Sequence, residues 1–374
     1  MPRALHIVMT VNAAWNIANF RMPLVKALLA DGHRVTVLAP ADDAVVQLTD
    51  AGCEFVDLAM DKKGLNPVRD AGLFARMRRH FKALEPDLVL SFTIKNNIFG
   101  ALAAKSLGLP FIPNVTGLGT AFLSGGVLLT VAKMLYIAAY RNLPVVFFQN
   151  GDDRDLFLSM KLVREEQARL LPGSGIDLAA FTPMPYPDDA NGIRLLMIGR
   201  VIRDKGVLEY VEAARILKNK RPDLRFQLLG AIGFANRTSI DAEEVDRWQA
   251  EGLIDYLGTT DDVRGPIANA HCIVLPSYRE GAPRTLIEGA ALARPAIATN
   301  VPGCNAVVSD GETGILCAVR DAEDLAARIE QFADLDHDQR AAIGLAARRK
   351  MEREYSVENV IGAYRTEIAR IGAS

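Results

Sequence analysis

The chain has 374 residues, of which 50% are hydrophobic and 24% are charged, and its formal net charge at pH 7 is −2. This length predicts two domains of about 150–200 residues, and the weak net charge excludes a global basic field, so we expect no nucleic-acid partner. The four cysteines are far apart without metal-ligand spacing, which favours buried thiols in a reducing compartment: Cys53, Cys272, Cys304 and Cys317.

The N-terminus and the apolar segments predict neither an export signal nor a membrane span. The opening residues hold only a short apolar run, which suits a buried first strand better than a signal peptide. The closest stretch to a span, Phe122–Ala139, is interrupted by Gly125, Gly126 and Lys133, whereas a span needs ~18 charge-free apolar residues.

The first half of the chain alternates apolar strands with amphipathic helices. Its near-continuous Val, Ile, Leu and Phe runs predict strands that are covered on both faces, hence a parallel sheet. The predicted strands are Ala4–Met9, Arg34–Leu38, Leu88–Ser91, Phe111–Asn114 and Val145–Gln149, and the predicted helices include Met22–Ala30, Ala71–Leu84 and Ile98–Leu107.

A proline- and glycine-rich stretch predicts an interdomain linker over residues 173–192, after which the alternation restarts. We therefore expect an α/β chain with two doubly wound domains, residues 1–172 and 193–355, and ligands beyond the carboxyl ends of the strands. The second set of strands is Arg194–Ile198, Arg225–Leu229, Ile254–Leu257, Cys272–Leu275 and Ala296–Thr299, with helices at Gly206–Lys218, Ala242–Ala250, Arg284–Leu292, Ala322–Phe332 and Val357–Ile371.

The familiar cofactor fingerprints are missing from the sequence. No Gly-x-Gly-x-x-Gly stands between a strand and a helix, and no phosphate loop ends in Gly-Lys-Ser/Thr. The acidic run Asp334–Asp338 imitates a metal-binding Asp-x-Asp, but its place between two helical patterns predicts helix-capping acids. We expect no cofactor and no essential metal.

Two glutamates follow the strand Cys272–Leu275, one in a glycine-proline turn and one in the next helix. If Pro283 occupies the first helical position, the N–H groups of the next three residues point out of the helix start and form an anion site. Glu280 and Glu288 would then bracket a diphosphate, with hydroxyl-rich groups on either side. A loop glutamate and a surface glutamate beside a proline-initiated helix stay open as the alternative.

Two cations stand at the end of another predicted strand. Arg200 follows Gly199, and Lys205-Gly206 opens a helix, so both cations could neutralise a diphosphate leaving group. Ordinary solvated charges around a turn are the open alternative. The glycine-rich return after Thr299, "GCNAVVSDGETGIL", is weak evidence on its own.

The order GR-x₄-KG, E-x₇-E and P-G-C…DG-x-x-G resembles glycosyltransferase family 4, the retaining GT-B enzymes. The segments "FRMPLVKALLADGHRVTVLAP", "IPNVTGLGTAF", "VVFFQNGDD" and "LLPGSGIDLAAF" are similar to the branch that extends lipid-linked oligosaccharides, which includes N-acetylgalactosaminyltransferases of undecaprenyl-diphosphate sugars. The resemblance implies the GT-B fold, two Rossmann-like domains facing across a cleft, with the C-terminal helix 356–374 packed on the N-terminal domain.

The resemblance also implies roles for individual residues. Arg200 and Lys205 would bind the donor diphosphate and stabilise the departing nucleotide, and Glu280 would contact the donor sugar near the reacting carbon. Glu288 would bind the ribose. Further donor-binding positions are Gly281, Ala282, Arg284, Thr285 and, bordering the base, Tyr256; the acceptor side would include Asn12, Trp15, Thr116 and Gly117.

One departure from the family concerns the general base. Many members carry a histidine where this chain has Asn114-Val115-Thr116-Gly117, so no base is assigned. Retaining enzymes of this kind are thought to let the leaving phosphate accept the proton of the acceptor, and this front-face route needs no such base.

Two segments favour an anionic membrane surface as a partner. The helix Ala75–Leu84 carries four cations, and the apolar stretch Phe122–Ala139 has the character of an interfacial helix. A solvated helix face and a core helix remain the alternatives. We expect a cytoplasmic protein that is peripheral on the cytoplasmic face of the inner membrane. The four cations are Arg76, Arg78, Arg79 and Lys82.

The sequence thus predicts a retaining glycosyltransferase that moves a sugar, an N-acetylhexosamine from a UDP donor, to a polyprenyl-diphosphate-linked glycan. Two alternatives stay open. A non-hydrolysing sugar-nucleotide epimerase would use the same fold without an acceptor, and a non-catalytic nucleotide-sugar-binding subunit of a polysaccharide assembly complex would bind without turnover.

Overall fold

The computed structural model describes residues 3–61, 67–118, 126–233 and 238–372. The chain forms two compact units, one made of Met1–Gly175 with Val357–Ser374 and the other of Ile176–Ser356. Each unit is an all-parallel sheet with helices on both faces, so each buries a core of its own.

The sheet of the first unit has seven strands in the order β3-β2-β1-β4-β5-β6-β7. Its central strands β1, β4 and β5 bury every residue, which explains their continuous apolar sequences. The strands are β1 His6–Thr10, β2 Arg34–Ala39, β3 Glu54–Asp57, β4 Leu88–Phe92, β5 Phe111–Val115, β6 Val146–Phe148 and β7 Ala168–Leu170.

Two helical layers cover the first sheet. The C-terminal helix Val357–Gly372 packs beside Met22–Ala30, and its residues Val360, Tyr364 and Ile368 join the core on that face. The helices of this unit are α1 Ala14–Phe20, α2 Met22–Ala30, α3 Val45–Asp50, α4 Pro67–Leu84, α5 Ile94–Lys105, α6 Gly126–Tyr140, α7 Gly151–Ser159 and the C-terminal helix Val357–Gly372.

The sheet of the second unit has six strands in the order β10-β9-β8-β11-β12-β13. β11, with the sequence CIVL, is buried along its whole length and pairs with β8 and β12. The strands are β8 Ile193–Ile198, β9 Leu224–Leu229, β10 Asp255–Tyr256, β11 Cys272–Leu275, β12 Ala296–Thr299 and β13 Gly314–Cys317.

The helices of the second unit pack on both faces of this sheet and end in a π-helical segment, Met351–Tyr355, before the chain returns to the first unit. They are α8 Val207–Leu217, α9 Ala242–Ala250, α10 Arg264–Asn269, α11 Arg284–Ala291, α12 Cys304–Val307, α13 Ala322–Ala333 and α14 His337–Lys350. The C-terminal helix Val357–Gly372 is therefore α15.

The strand order of each sheet reverses once near its middle. In the first unit the reversal lies between β1 and β4, and in the second it lies between β8 and β11. In open parallel sheets the crevice at such a reversal, beyond the carboxyl ends of the strands, is the usual place for a ligand.

Most of the predicted linker, residues 173–192, is packed on the second unit. The backbone of Ile176 donates to Tyr355 O at 2.8 Å, and the Tyr186 hydroxyl donates to His271 O at 2.8 Å. The fully buried Arg294 donates to the carbonyls of Met184 and Pro185. The proline content correctly indicated a segment without regular secondary structure. Such a segment can still be held in place when its backbone carbonyls accept hydrogen bonds from a domain, as those of Met184 and Pro185 do.

Three strands of only three or four residues were not predicted from the sequence: β3, β7 and β13. β3 and β7 are the two edge strands of their sheet, and they are only partly buried, so they lack a continuous apolar run. Within the described ranges, no helix combines the length and apolarity that crossing a bilayer requires.

Candidate functional site

Lys205 and Glu280 meet at the point where the second sheet reverses its strand order. Lys205 follows β8 and Glu280 follows β11, and these strands are neighbours. The Lys205 Nζ lies 2.5 Å from Glu280 Oε1, with the two side chains 22% and 12% exposed. One residue from each of two separate sequence motifs therefore forms a half-buried ion pair. The pair lies at the carboxyl ends of the strands, where a ligand is expected.

The two loops that carry this pair are bonded to each other. The backbone N–H of Tyr278 and the hydroxyl of Ser277 both donate to Asp204 O, at 3.0 and 3.2 Å. Gly206 has φ +76°, and a Cβ there would lie 2.0 Å from Pro276 O. A glycine is required at this position because both the backbone conformation and the close approach exclude a side chain.

The helix that starts after Glu280 corrects one prediction. Pro283 is the residue before the helix, with φ −70° and ψ 106°, and it does not occupy the first helical position. The Leu286 N–H donates to Pro283 O at 3.1 Å, so this amide is not available to a ligand. Of the three amides predicted to form an anion site at this helix start, those of Arg284 and Thr285 remain as candidates.

Thr285 fixes that helix start against the end of β8. Its hydroxyl donates to Ile198 O at 3.2 Å, and Ile198 is the last residue of β8. The helix dipole is therefore directed toward the same edge of the sheet at which Lys205 and Glu280 meet, and this favours an anion there.

Glu288 is buried rather than placed on the surface, which excludes the surface-glutamate alternative for this residue. It is 8% exposed, and Arg284 Nε lies 2.6 Å from its Oε1. Burial raises the pKa of the Glu288 carboxyl, and the neighbouring guanidinium of Arg284 opposes that rise. The second glutamate thus also has a cation of its own.

The glycine-rich return supports the Glu280 loop from the other side. The Glu280 N–H donates to Pro302 O at 3.2 Å, and the Thr299 hydroxyl donates to Ser277 O. Gly303 has φ +84°, and a Cβ there would lie 2.6 Å from Glu280 O. The glycine-rich return after Thr299 therefore supports the loop that carries Glu280 through contacts with its backbone.

The remaining donor-side predictions lie around the same edge. Arg200 is exposed directly after β8, and Gly281 and Ala282 are partly buried in the loop before α11. Tyr256 ends β10, two strands from β8, and its hydroxyl donates to Gly230 O at 2.8 Å. A base contact at this end of the edge stays a prediction, and the Tyr256 hydroxyl already has a protein partner.

The predicted acceptor-side residues lie at the carboxyl edge of the first sheet. Asn12 follows β1, and Thr116 and Gly117 follow β5; all three are partly buried. Trp15, in the first turn of α1, is 53% exposed, and its backbone N–H donates to both carboxylate oxygens of Asp42 at 3.1 and 3.0 Å.

A buried polar cluster lies at the strand-order reversal of the first sheet and was not predicted from the sequence. Asn96 Nδ2 donates to the hydroxyl of Thr10 at 2.8 Å, and Lys95 Nζ lies 2.7 Å from Asp70 Oδ1. These residues were detectable as a polar run, Thr-Ile-Lys-Asn-Asn, directly after the apolar strand β4. Only the fold shows that Asp70, 25 positions before Lys95, is the counter-ion.

The acidic run Asp334–Asp338 contains a helix cap, which confirms that part of its interpretation. The Asp336 carboxylate accepts from the Gln339 N–H at 2.8 Å, and the Asp336 N–H donates to the Gln339 side-chain oxygen at 2.9 Å. Asp334 forms an ion pair with Arg221 at 2.8 Å. Across the described ranges, no group of three or more His, Cys, Asp and Glu side chains has the arrangement of a metal site.

Two family models match most of the chain. Residues 17–174 match the glycosyl transferase 4-like domain, and residues 192–334 match glycosyl transferases group 1. The N,N'-diacetylbacillosaminyl-diphospho-undecaprenol alpha-1,3-N-acetylgalactosaminyltransferase of Campylobacter jejuni is 27% identical over 366 residues, 94% of each chain. The UDP-Gal:alpha-D-GlcNAc-diphosphoundecaprenol alpha-1,3-galactosyltransferase of Escherichia coli is 23% identical over 273 residues, 70% of each chain.

Solved structures share the fold over nearly the whole chain. Alr3699/HepE of Anabaena, in complex with UDP and glucose, matches with a TM-score of 0.78 and 18% identity, covering 98% of this chain and 99% of that one. A sucrose-phosphate synthase of Thermosynechococcus elongatus matches with a TM-score of 0.79 and 19% identity, covering 99% and 100%. The two parallel sheets are therefore those of the GT-B fold.

Proposed function

The chain belongs to the group 1 glycosyltransferases with a 4-like N-terminal domain, and on this premise we propose that it moves a sugar from a UDP donor to a polyprenyl-diphosphate-linked glycan with retention at the anomeric carbon. The observation that carries the proposal is the meeting of Lys205, Glu280 and the start of α11 at the strand-order reversal of the second sheet. A cation, a carboxylate and the amides of a helix start at the carboxyl ends of two neighbouring strands support a ligand position at that edge.

The donor is a UDP-sugar held by the second unit. A diphosphate needs positive charge and amide donors, and Lys205, Arg200 and the amides of Arg284 and Thr285 supply both. Glu280 and Glu288 supply acceptors for hydroxyl groups of the donor sugar and of the ribose. The structure of HepE from Anabaena, a protein of the same fold, contains UDP and glucose, which supports the donor class.

Departure of UDP is the chemical difficulty that these cations address. Negative charge grows on the diphosphate as the glycosidic bond breaks, and Lys205 and Arg200 stabilise it most in the transition state. The departing phosphate oxygen takes the proton of the attacking hydroxyl on the same face of the sugar, so configuration is retained. This route requires neither a metal nor a separate general base, so transfer continues in the presence of a chelator.

The acceptor assignment derives support from the relatives. The names of the Campylobacter and Escherichia coli enzymes both specify an undecaprenyl-diphosphate-linked sugar as the acceptor. The first names an N-acetylgalactosaminyl group and the second a UDP-galactose donor. We propose an N-acetylhexosamine as the transferred sugar because the first relative matches nearly the whole chain. Asn12, Trp15, Thr116 and Gly117 of the first unit would face the acceptor.

A donor and acceptor panel tests this function. Purified protein is incubated with UDP- and other nucleotide sugars, with and without a polyprenyl-diphosphate disaccharide, in the presence of EDTA. We expect UDP release that depends on the lipid-linked acceptor, and a product whose new anomeric proton has the coupling constant of the donor configuration. Release without an acceptor, isotope exchange within the donor alone, or an inverted product would contradict the proposal.

An anionic membrane surface is proposed as the place where the lipid acceptor is reached. The exposed face of α6 carries Val131, Met134 and Ile137, which are 42%, 59% and 41% exposed. Their three-residue spacing places them on one side of the helix, a pattern typical of an interfacial helix. Residues 122–125 of the predicted apolar stretch lie outside the described ranges.

The helix with four cations, α4, belongs to the same helical layer of the first unit as α6. α5 packs between α4 and α6: Arg78 Nε donates to Ser106 Oγ at 3.1 Å, and Lys105 Nζ donates to Ala138 O at 3.3 Å. Arg78, Arg79 and Lys82 are exposed on α4, and Arg76 is partly buried. Cations beside exposed apolar side chains fit a surface of anionic lipid headgroups.

Vesicle flotation tests the membrane surface. Wild-type protein is expected to float with phosphatidylglycerol vesicles and less with neutral ones, and Met134→Asp should reduce the bound fraction because a charge enters the apolar face. Leu345→Asp is the control, since Leu345 is a 50% exposed apolar residue on α14 in the second unit. Equal flotation of wild type and Met134→Asp would remove this surface from the account.

A further inference from the structure

Tyr278 connects the Glu280 loop to three other parts of the second unit. It lies two residues before Glu280, and its backbone N–H donates to Asp204 O at 3.0 Å. Its hydroxyl donates to Glu209 Oε1 at 2.8 Å, and the guanidinium carbon of Arg320 lies 4.5 Å from the centre of its ring. Neither the motifs nor the family comparisons assign a role to these side chains.

The two side-chain partners of Tyr278 lie in α8 and in the segment before α13. Glu209 lies in the first turn of α8, and its second carboxylate oxygen is buried with no protein partner among the described residues. Arg320 precedes α13 and has φ +59°, a conformation that costs an arginine steric energy. A strained arginine that stacks on the tyrosine ring indicates a selected contact rather than a chance surface arrangement.

We propose that Glu209, Tyr278 and Arg320 are positioning residues that hold the Glu280 carboxylate in register with Lys205 during sugar transfer. The inference rests on the proposed function. None of the three side chains is assigned to the substrate; they act through the loop, with the Tyr278 hydroxyl fixed by Glu209 and its ring held by Arg320.

The geometry explains why such a brace is needed. The loop from Pro276 to Pro283 has no helical or strand hydrogen bonds of its own, so its position depends on contacts with its neighbours. On one side, the Thr299 hydroxyl and the Pro302 carbonyl form hydrogen bonds with the loop, and Gly303 packs closely on its backbone. On the other side, Asp204 O accepts hydrogen bonds from the loop. On the Asp204 side, the side chain of Tyr278 reaches beyond the loop pair to Glu209 of α8 and to Arg320, which precedes α13.

The hydroxyl of Tyr278 remains a donor over the working pH range. Burial, followed by the hydrogen bond to Glu209, raises the pKa of Tyr278 to about 12, so this phenol does not ionise near neutrality. The bond to the Glu209 carboxylate is therefore charge-assisted and persistent, as a fixed brace requires.

The experiment compares turnover with nucleotide affinity in single and double variants. UDP lacks the transferred sugar, so its affinity reports the nucleotide and diphosphate site without the sugar contact of Glu280, whereas kcat depends on Glu280 being correctly placed. Tyr278→Phe removes only the hydroxyl; we expect kcat to fall about tenfold with no loss of UDP affinity. Glu209→Ala should have a similar effect, and the double variant should be no worse than either single one.

Two further variants separate positioning from simple structural damage. Glu209→Gln keeps an oxygen acceptor for the tyrosine and should restore most of the turnover lost in Glu209→Ala. Arg320→Gly removes the guanidinium while suiting a backbone at φ +59°, so the protein should keep its melting temperature and still lose turnover. Tyr186→Phe, which removes a hydroxyl bond to His271 O outside the loop, should leave kcat unchanged.

The outcomes distinguish this inference from the proposed function. If wild type transfers sugar and binds UDP but Tyr278→Phe and Arg320→Gly keep full kcat, the brace is wrong and the function stands. Additive losses in the double variant, or a parallel loss of UDP affinity, would also overturn the brace. Failure of wild type to bind UDP would instead reject the proposed function.

Discussion

The two carboxylates of the site are each paired with a cation that the donor would also use. Lys205 contacts Glu280 at 2.5 Å, and Arg284 contacts Glu288 at 2.6 Å. A half-buried charge without a partner is costly, so each of these cations is neutralised by a carboxylate of the protein itself. If the proposed donor binds at this edge, its diphosphate competes with Glu280 for Lys205, and Glu280 becomes available for the sugar hydroxyls.

This competition predicts opposite effects of one substitution on binding and on turnover. Glu280→Gln should raise UDP affinity about tenfold, which corresponds to ~1.4 kcal/mol, because Lys205 loses its internal counter-ion. The same variant should lose most of its turnover, since the contact to the donor sugar is weakened. Calorimetric titration with UDP measures the first effect, and acceptor-dependent UDP release measures the second.

Glu243→Gln is the charge-matched control for that experiment. Glu243 is an exposed residue in the first turn of α9, so this variant removes the same single negative charge without touching the ion pair. It should bind UDP as wild type does. Unchanged or weaker UDP binding by Glu280→Gln would show that the carboxylate does not compete with phosphate for Lys205.

At the scale of elements, the loop between β11 and α11 depends on its contact with the glycine-rich return after β12. Gly303→Ala combines two penalties: the backbone has φ +84°, and the new Cβ would approach Glu280 O to 2.6 Å and Gly281 O to 2.7 Å. We expect this variant to lose at least about tenfold in kcat because the Glu280 loop is displaced. It should also lose ~2–3 kcal/mol of unfolding free energy.

Gly311→Ala separates the two penalties. Gly311 has φ +74° in the same segment, but a Cβ there has no atom within 4 Å. This control should therefore lose only the ~1–2 kcal/mol of a left-handed alanine and keep its turnover. Urea unfolding and initial rates measured on both variants check the pair. Equal turnover in the two variants would mean that the return does not hold the loop.

Much of the architecture could be predicted because its determinants are local. The strands Cys272–Leu275 and Ala296–Thr299 and the helices Met22–Ala30 and Ala242–Ala250 were predicted at their observed bounds. Their apolar runs or helical periodicity end at clear turn signals. The edge strand Glu54–Asp57 was missed because partial burial leaves no such pattern.

The chemistry of the site was harder to predict than its location. The motif order placed Lys205 and Glu280 at the carboxyl ends of two strands, but only the strand order β8-β11 makes them neighbours. Pairing between distant positions is likewise invisible in the sequence, as for Lys95 with Asp70 and Tyr278 with Glu209. The position of Pro283 before the helix, rather than in it, followed from its ψ of 106°, which the sequence does not specify.

At the scale of the whole molecule, a net charge of −2 gives no strong global field, so stability against pH depends on individual buried groups. His271 is fully buried in the second unit. Its Nδ1 accepts from the Arg194 N–H at 3.0 Å, so its Nε2 carries the proton and donates to Asp188 O at 3.0 Å. Burial, followed by the charge of Arg194, lowers the pKa of His271 to about 4.

The sign of the pH effect follows from that lowered pKa. Between about pH 4 and the ordinary histidine pKa of 6.5, the unfolded chain binds a proton at His271 that the folded protein excludes. The stabilisation is therefore complete above about pH 6.5 and is lost as the pH falls toward 4, up to ~3 kcal/mol.

Urea unfolding at pH 7 and pH 4.5 tests this linkage in wild type and His271→Gln, which has no titrating group at this position. Wild type should lose stability more steeply than the variant on acidification. His6 in the first unit also has a pKa lowered by burial, so both proteins retain a part of the acid sensitivity. Identical pH slopes for wild type and His271→Gln would exclude His271 as a contributor.

Calorimetric titration of UDP into wild type and Lys205→Ala at one ionic strength shows whether the second unit holds a nucleoside diphosphate through Lys205. We expect saturable, one-site binding to wild type and at least tenfold weaker binding to Lys205→Ala, with both proteins equally folded by circular dichroism. Absence of UDP binding to wild type, or equal affinity for the two proteins, would contradict this expectation.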